Sequence, residues 1–116
     1  VIHQQKGNNT EALYRYAIQF IDQHYTDPDF TISFLASEMN ISLSYLSTLF
    51  KQSSGRNLNN YITEKRLEYA KTLLRSLQYS IREIAHLSGY DDAGYFSSLF
   101  RRKVGMNPTE YRNCQI

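Results

Sequence analysis

The stretch SYLSTLFKQSSGRNLNNY, Ser44 to Tyr61, is written a second time as GYFSSLFRRKVGMNPTEY, Gly94 to Tyr111. Seven of the 18 positions are identical, and the likeness continues upstream, where Thr31–Ile41 matches Ser80–Tyr90. Two copies fall short of a repeat array, which generally needs three or more units. We therefore predict one structural unit present in two copies.

Apolar residues recur at helical spacing along the chain, and no segment alternates with the two-residue period of a strand. Serine, threonine or asparagine precedes six of the periodic segments as a candidate N-cap or helix start, at Thr10, Thr31, Ser42, Asn57, Ser80 and Asn107, and Asp91 and Asp92 precede the seventh. Glycine stands where three of the helices should stop, at Gly55, Gly89 and Gly105. These signals predict an all-α fold of seven helices.

Each copy has a short helix, a tight turn and a longer helix, which is the pattern of a helix-turn-helix. Ala36 and Ala85 are small where the first helix must let the second approach, and Ile41 and Tyr90 are placed to fill the turn. We predict a disordered or linker segment at 1–10, a first helix-turn-helix subdomain at 11–56, a long linker helix at 57–77 and a second subdomain at 78–116. The second helix of each unit keeps a polar face, which favours DNA binding in the major groove.

Composition argues against several other classes of protein. The apolar runs are too short to cross a bilayer, and the single cysteine, Cys114, excludes an intrachain disulfide and favours a reducing cytoplasm. The three histidines have no metal-ligand spacing, so we expect neither a metal nor another cofactor. No nucleophile–base pair, paired carboxylates or phosphate-binding loop is present, so we do not expect an enzyme.

The charge is unevenly distributed along the sequence. The net charge is +2, with −2 up to Gly55 and +4 from Arg56 onward. This asymmetry permits a polyanionic partner without requiring one.

The segment SIREIAHLSGYDDAGYFSSLFRRKVGMNPTEYR, Ser80 to Arg112, resembles the signature of the AraC/XylS family of transcription regulators. The segment SLSYLSTLFKQSSGRNLNNYITEKRLEYAKTLL resembles the first half of the family's DNA-binding domain, especially in the branch fused to response-regulator receivers. The likeness extends from about Ala17 to Arg112. It implies two helix-turn-helix units held by a linker helix, with double-stranded DNA as partner and two recognition helices in successive major grooves, roughly 34 Å apart. It also implies an upstream sensing, receiver or dimerisation domain, and RNA polymerase is a further candidate partner.

By match to the family, the base-reading positions are Leu43, Ser44, Ser47, Thr48, Ala93, Gly94, Ser97 and Ser98. The candidate phosphate contacts are Lys51, Asn57, Lys65, Arg66, Arg101, Arg102, Lys103 and Asn107. Many relatives carry Arg or Gln at the positions of Thr48 and Ser98, and without such a side chain we expect weak direct readout. The shortage of long polar side chains also supports an alternative, a helical protein-interaction module that does not read DNA.

Overall fold

The computed structural model describes the backbone of residues 2–114 and the side chains of residues 9–114. This part of the chain contains seven helices and no strand, which confirms the predicted all-α fold. The helices are α1 (Ile2–His24), α2 (Ile32–Glu38), α3 (Leu43–Ser54), α4 (Leu58–Leu74), α5 (Ile81–Leu87), α6 (Ala93–Val104) and α7 (Pro108–Cys114).

The start of α1 differs from the prediction. We expected a linker up to Thr10 and a helix capped there, but α1 already begins at Ile2. Glutamine and lysine in the sequence HQQK are good helix formers, and only Gly7 in this segment carries a large helix penalty. Thr10 therefore lies within the helix, while Val1, at the start of the predicted linker, is outside the described residues.

The chain divides into two compact units. Unit 1 comprises residues 1–24 and 30–62, and unit 2 comprises residues 25–29 and 63–116. This division differs from the predicted subdomains, because the first residues of α4 belong to unit 1 and the rest of α4 belongs to unit 2. The segment Tyr25–Asp29 belongs to unit 2, although α1 and α2 on either side of it belong to unit 1.

The repeat in the sequence is also a repeat in packing. In unit 1, the buried Phe50 packs its ring against Tyr61, with the centroids 5.2 Å apart. In unit 2, the corresponding Phe100 packs against Tyr111 at 5.6 Å. The buried hydrophobic residues of unit 1 are Ala17, Ile21, Phe30, Leu35, Ala36, Leu46, Leu49, Phe50, Leu58 and Ile62. Those of unit 2 are Leu67, Ala70, Leu74, Ile84, Ala85, Tyr90, Phe96, Leu99 and Phe100.

The turn of each helix-turn-helix is a Schellman motif, in which two backbone amides after the helix bond back to its last turn. In unit 1, the amides of Asn40 and Ile41 donate to the carbonyls of Ser37 and Ala36, both at 3.1 Å. In unit 2, the amides of Gly89 and Tyr90 make the same two bonds, to His86 and Ala85 at 3.1 and 2.9 Å. Asn40 and Gly89 supply the positive φ that the motif needs, at 57° and 106°.

Gly89 is also required for a close contact in unit 2. The Arg66 guanidinium donates from Nε to the Tyr25 carbonyl at 2.6 Å, and its Cζ lies 5.3 Å from the centroid of the Tyr90 ring. A Cβ added at Gly89 would lie 2.7 Å from both Arg66 Nε and the Tyr25 carbonyl oxygen. Burial raises the pKa of the Tyr90 hydroxyl, and the neighbouring Arg66 charge partly opposes that rise. Arg66 thus joins Tyr25–Asp29 to the turn of the second helix-turn-helix.

Helix α4 ends at Leu74, three residues before the predicted end at 77. The Arg112 guanidinium of α7 donates to the carbonyls of Leu74, Ser76 and Tyr79 at 3.1, 2.9 and 2.7 Å. These bonds give hydrogen-bond donors to carbonyls at and just after the end of α4, where the chain turns. Leu77 lies in this turn, outside the core, and is 71% exposed.

Candidate nucleic-acid interface

Helix α3 is held at both ends by the residues that the sequence indicated. The Ser42 hydroxyl accepts a hydrogen bond from the Tyr45 amide at 3.0 Å, and Gly55 ends the helix with φ 76°. Leu46, Leu49 and Phe50 are buried on one side. The opposite side is therefore fixed in direction and open to solvent.

Successive residues of an α-helix are about 100° apart, which places Ser44, Ser47, Thr48 and Lys51 away from the core of α3. Leu43, the first residue of the helix, lies at the edge of this surface, about 20° from the direction of Phe50. We call the five residues the outward face of α3: Leu43, Ser44, Ser47, Thr48 and Lys51. All of them are exposed. The structure therefore brings the four predicted base-reading residues of this helix onto one surface, together with one cation.

Helix α6 repeats the arrangement. The Asp92 carboxylate accepts from the Tyr95 amide at 3.0 Å, and Gly105 ends the helix with φ 97°. The outward face of α6 is the corresponding set: Ala93, Gly94, Ser97, Ser98 and Arg101. Ala93 and Ser97 are partly buried, and Ala93 packs against the core of unit 2, so this face is smoother and less accessible than that of α3.

The basic residues at the end of α6 point in different directions. Arg101 corresponds to Lys51 in the first copy and lies on the outward face, whereas Arg102 lies at its edge. Lys103 is about 200° further round than Arg101, which places it toward the core side of the helix. It lines a groove of about 240 Å³ whose residues are Glu64, Leu67, Glu68, Lys71, Lys103 and Val104. The geometry therefore favours Arg101 as a phosphate contact and disfavours Lys103.

Lys65 and Arg66 both contact other residues of unit 2. Arg66 binds the Tyr25 carbonyl, and its second nitrogen lies 3.3 Å from the Asp27 carbonyl oxygen. Lys65 Nζ lies 5.1 Å from the centroid of the Tyr25 ring. Because Arg66 is partly buried and bound within unit 2, this placement argues against its predicted phosphate contact. A contact by Lys65 stays a prediction.

The N-termini of α4 and α7 are unequal as candidate anion sites. The Asn57 side chain caps α4 by accepting from the Asn60 amide at 3.2 Å, and the first turn of α4 carries no acidic residue. Asn107 caps α7 in a full capping box with Glu110, whose carboxylate accepts from the Asn107 amide at 2.9 Å. A carboxylate at a helix N-terminus repels phosphate, so the geometry favours Asn57 over Asn107.

Two aromatic residues border the outward faces at matching positions. Tyr45 on α3 is 42% exposed and Tyr95 on α6 is 55% exposed. The Tyr95 ring also lies 6.0 Å from the ring of Tyr90, centroid to centroid, so it is supported from the turn of the second helix-turn-helix. Both are available to an external partner, and neither is part of the core.

The charge asymmetry between the sequence halves disappears when residues are grouped by structural unit. Unit 1 holds four basic and three acidic residues, and unit 2 holds nine basic and eight acidic ones. Each unit therefore has a net charge of +1. The basic character that a polyanion would meet is local and resides in the last turn of α6, where Arg101, Arg102 and Lys103 follow one another.

The described residues lack a membrane-spanning helix and a cluster of metal-ligating side chains. Across residues 2–114, no helix has both the length and the apolar character needed to cross a membrane. In the same part of the chain, no group of three or more His, Cys, Asp or Glu side chains is arranged to hold a metal ion.

Comparison with known proteins identifies the family. The model of a helix-turn-helix domain matches residues 35–113. The chain is 36% identical over 108 residues to the uncharacterized HTH-type transcriptional regulator YijO of Escherichia coli K12, covering 93% of this chain and 38% of that protein. It is 35% identical over 98 residues to the arabinose operon regulatory protein of the same organism, covering 84% of this chain and 34% of that protein.

A solved structure gives the same result. The C-terminal domain of AraT, a response regulator from Geobacillus stearothermophilus, superimposes with a TM-score of 0.83 at 37% identity, covering 88% of this chain and 84% of that one. The chain thus spans somewhat over a third of the length of the curated relatives it matches and most of an isolated domain. The chain belongs to the AraC family of transcription regulators and constitutes their helix-turn-helix DNA-binding domain.

Proposed function

We propose that this domain binds double-stranded DNA with the outward faces of α3 and α6 in two successive major grooves. The observation that carries the proposal is the duplicated recognition surface. Each copy has a capped helix start, a glycine stop, a buried Leu-Phe pair and an exposed polar face with a cation at the same position. A duplex presents successive major grooves about 34 Å apart, so two similar recognition helices can each bind one half-site.

Helix α4 continues from unit 1 into unit 2. This helix has 17 residues without a break, which corresponds to a length of about 26 Å. Leu58 and Ile62 near its start are buried in unit 1, and Leu67, Ala70 and Leu74 are buried in unit 2. Helix α4 therefore contributes buried residues to the core of each unit.

The chemistry of the outward faces predicts how affinity and specificity divide. Serine and threonine hydroxyls donate or accept hydrogen bonds toward any base, so they discriminate weakly. Affinity then depends on phosphate contacts, for which we propose Arg101, Arg102, Lys51 and the N-terminus at Asn57. The two faces differ in sequence, so the preferred site need not be a palindrome.

The full-length protein should contain a further domain and contact a further partner. The relatives are longer than this chain, and we propose that a sensing, receiver or dimerisation domain precedes the DNA-binding domain in the intact regulator. RNA polymerase is the proposed target of the DNA-bound regulator, which would act in the cytoplasm. We propose no catalytic role.

Selection of bound duplexes from a random pool tests the proposal and yields the site together. We expect enrichment of duplexes with two conserved blocks about one helical turn apart. We also expect affinity to fall steeply as salt rises, because several phosphate contacts release counterions. A protein-interaction module, the alternative function, would enrich no sequence and would bind any duplex only at micromolar or weaker affinity.

A further inference from the structure

Leu43 is the first residue of α3, and 46% of its surface is exposed. The helix does not need a leucine at this position, because Ser42 caps the helix and the core contacts come from residues further along. Its side chain has no hydrogen-bonding atom, whereas Ser44 and Ser47 on the same outward face of α3 carry hydroxyls. It is the largest apolar group on that face.

The second copy does not reproduce this feature. Ala93 occupies the corresponding position in α6 and turns partly toward the core of unit 2, and the next residue, Gly94, has no side chain. Each face has one cation at the same position, Lys51 on α3 and Arg101 on α6, and Lys51 also donates to the Gly55 carbonyl at 3.3 Å. The two faces therefore differ mainly in the large apolar side chain that only α3 presents.

We propose that Leu43 selects thymine in the half-site bound by α3, through contact with the thymine 5-methyl group. This methyl is the one apolar group that bases present in the major groove, and an apolar side chain with no hydrogen-bonding atoms favours it over the alternatives. The inference rests on the proposed DNA binding and deepens it. It assigns a preferred thymine to one half-site and no counterpart to the other.

Replacement of thymine by deoxyuridine removes only the methyl group and leaves base pairing intact, so it tests the contact directly. In a duplex selected by the wild-type chain, each conserved thymine is replaced in turn, and the dissociation constant is measured at fixed salt. We expect one replacement in the α3 half-site to weaken binding about fourfold, from roughly 0.8 kcal/mol per buried methyl-sized group. A thymine outside the selected site serves as the control for the duplex.

Leu43→Ala then identifies the side chain. The variant should lose about as much affinity for the thymine duplex as deoxyuridine costs the wild type, and deoxyuridine should cost the variant nothing further, because the two changes remove one contact. Leu77→Ala is the matched control, since Leu77 is also an exposed leucine but lies outside both recognition helices. Thermal melting checks that both variants are folded.

Three results would overturn the assignment while leaving DNA binding intact. The first is equal affinity of the wild type for each thymine duplex and its deoxyuridine counterpart. The second is a selected site with no fixed thymine. The third is a fourfold preference for thymine that persists in Leu43→Ala. The first two use only the wild-type chain, so they do not depend on the folding of a variant. Failure of the wild type to enrich any duplex would instead refute the proposed function.

Discussion

Arg101→Ala and Lys103→Ala compare two cations that lie two residues apart in the last turn of α6. Both are exposed, and each substitution removes one positive charge from the same helix end. Only Arg101 lies on the outward face, whereas Lys103 lies about 200° away and lines the groove beside Glu64 and Glu68. The two variants therefore have the same net charge and the change lies in the same helix turn. They differ in the direction in which the lost side chain pointed.

One lost phosphate contact should lower the slope of log affinity against log salt by about 0.9. If wild type and Arg101→Ala bind equally at about 1 M salt, Arg101→Ala should bind roughly eightfold more weakly than wild type at about 0.1 M salt. Between about 50 and 200 mM salt, the advantage of wild type over Arg101→Ala should shrink by about 3.5-fold. The loss should be similar for selected and unrelated duplexes, because phosphate contacts carry no sequence information.

Fluorescence anisotropy with labelled duplexes at four or five salt concentrations measures both slopes. We expect Lys103→Ala to keep the wild-type slope to within about 0.3, a third of one contact. Equal slopes for wild type and Arg101→Ala would remove Arg101 from the interface. A larger effect of Lys103→Ala than of Arg101→Ala would mean that α6 presents another side to DNA, and the reasoning from helix faces would fail.

Three further predictions concern stability and are measured as free energies of unfolding in urea. Phe50→Ala and Phe100→Ala should each cost roughly 3–5 kcal/mol, because each removes a fully buried ring; near-native stability of either variant would show that the core is misassigned. Gly89→Ala should destabilise by about 1–3 kcal/mol more than Gly105→Ala, since both glycines have positive φ but only a Cβ at Gly89 meets Arg66 and the Tyr25 carbonyl; equal losses would refute the close contact. Arg112→Met should cost about 1.5–3 kcal/mol, because three carbonyls lose a charged donor, while Arg82→Met on the exposed surface should change little; an equally small effect of Arg112→Met would show that water replaces those bonds without cost.

The local features of this fold were predictable from sequence because their causes lie within a few residues. Ser42 and Ser80 cap helices by bonding to amides three residues ahead. The Glu83 carboxylate completes the capping box at Ser80. Hydrogen bonds with the backbone and side chain of Ser80 lower the pKa of Glu83. Gly55 and Gly105 stop helices through their own backbone conformation. Such interactions need no knowledge of the rest of the fold.

Contacts over longer distances in the sequence were not predictable in this way. Arg66 binds Tyr25, 41 residues away, and Arg112 binds Leu74, 38 residues away, so their sequence neighbours give no sign of either role. The sequence therefore predicts Arg66 as a surface cation, and it predicts the end of α4 three residues too late. The direction of Lys103 is different, because counting 100° per residue from the buried Phe100 would have revealed it.

The central claim is that α3 and α6 occupy adjacent major grooves of one duplex. The most direct test inserts five or ten base pairs between the two conserved blocks of a selected site and measures the affinity of the monomeric chain. Binding in adjacent grooves predicts that both insertions reduce affinity to that of a duplex with one block, because even a full-turn insertion moves the second block out of the adjacent groove. Unchanged affinity after the five-base-pair insertion, or full recovery after ten, would contradict binding in adjacent grooves and show that the two recognition helices bind independently.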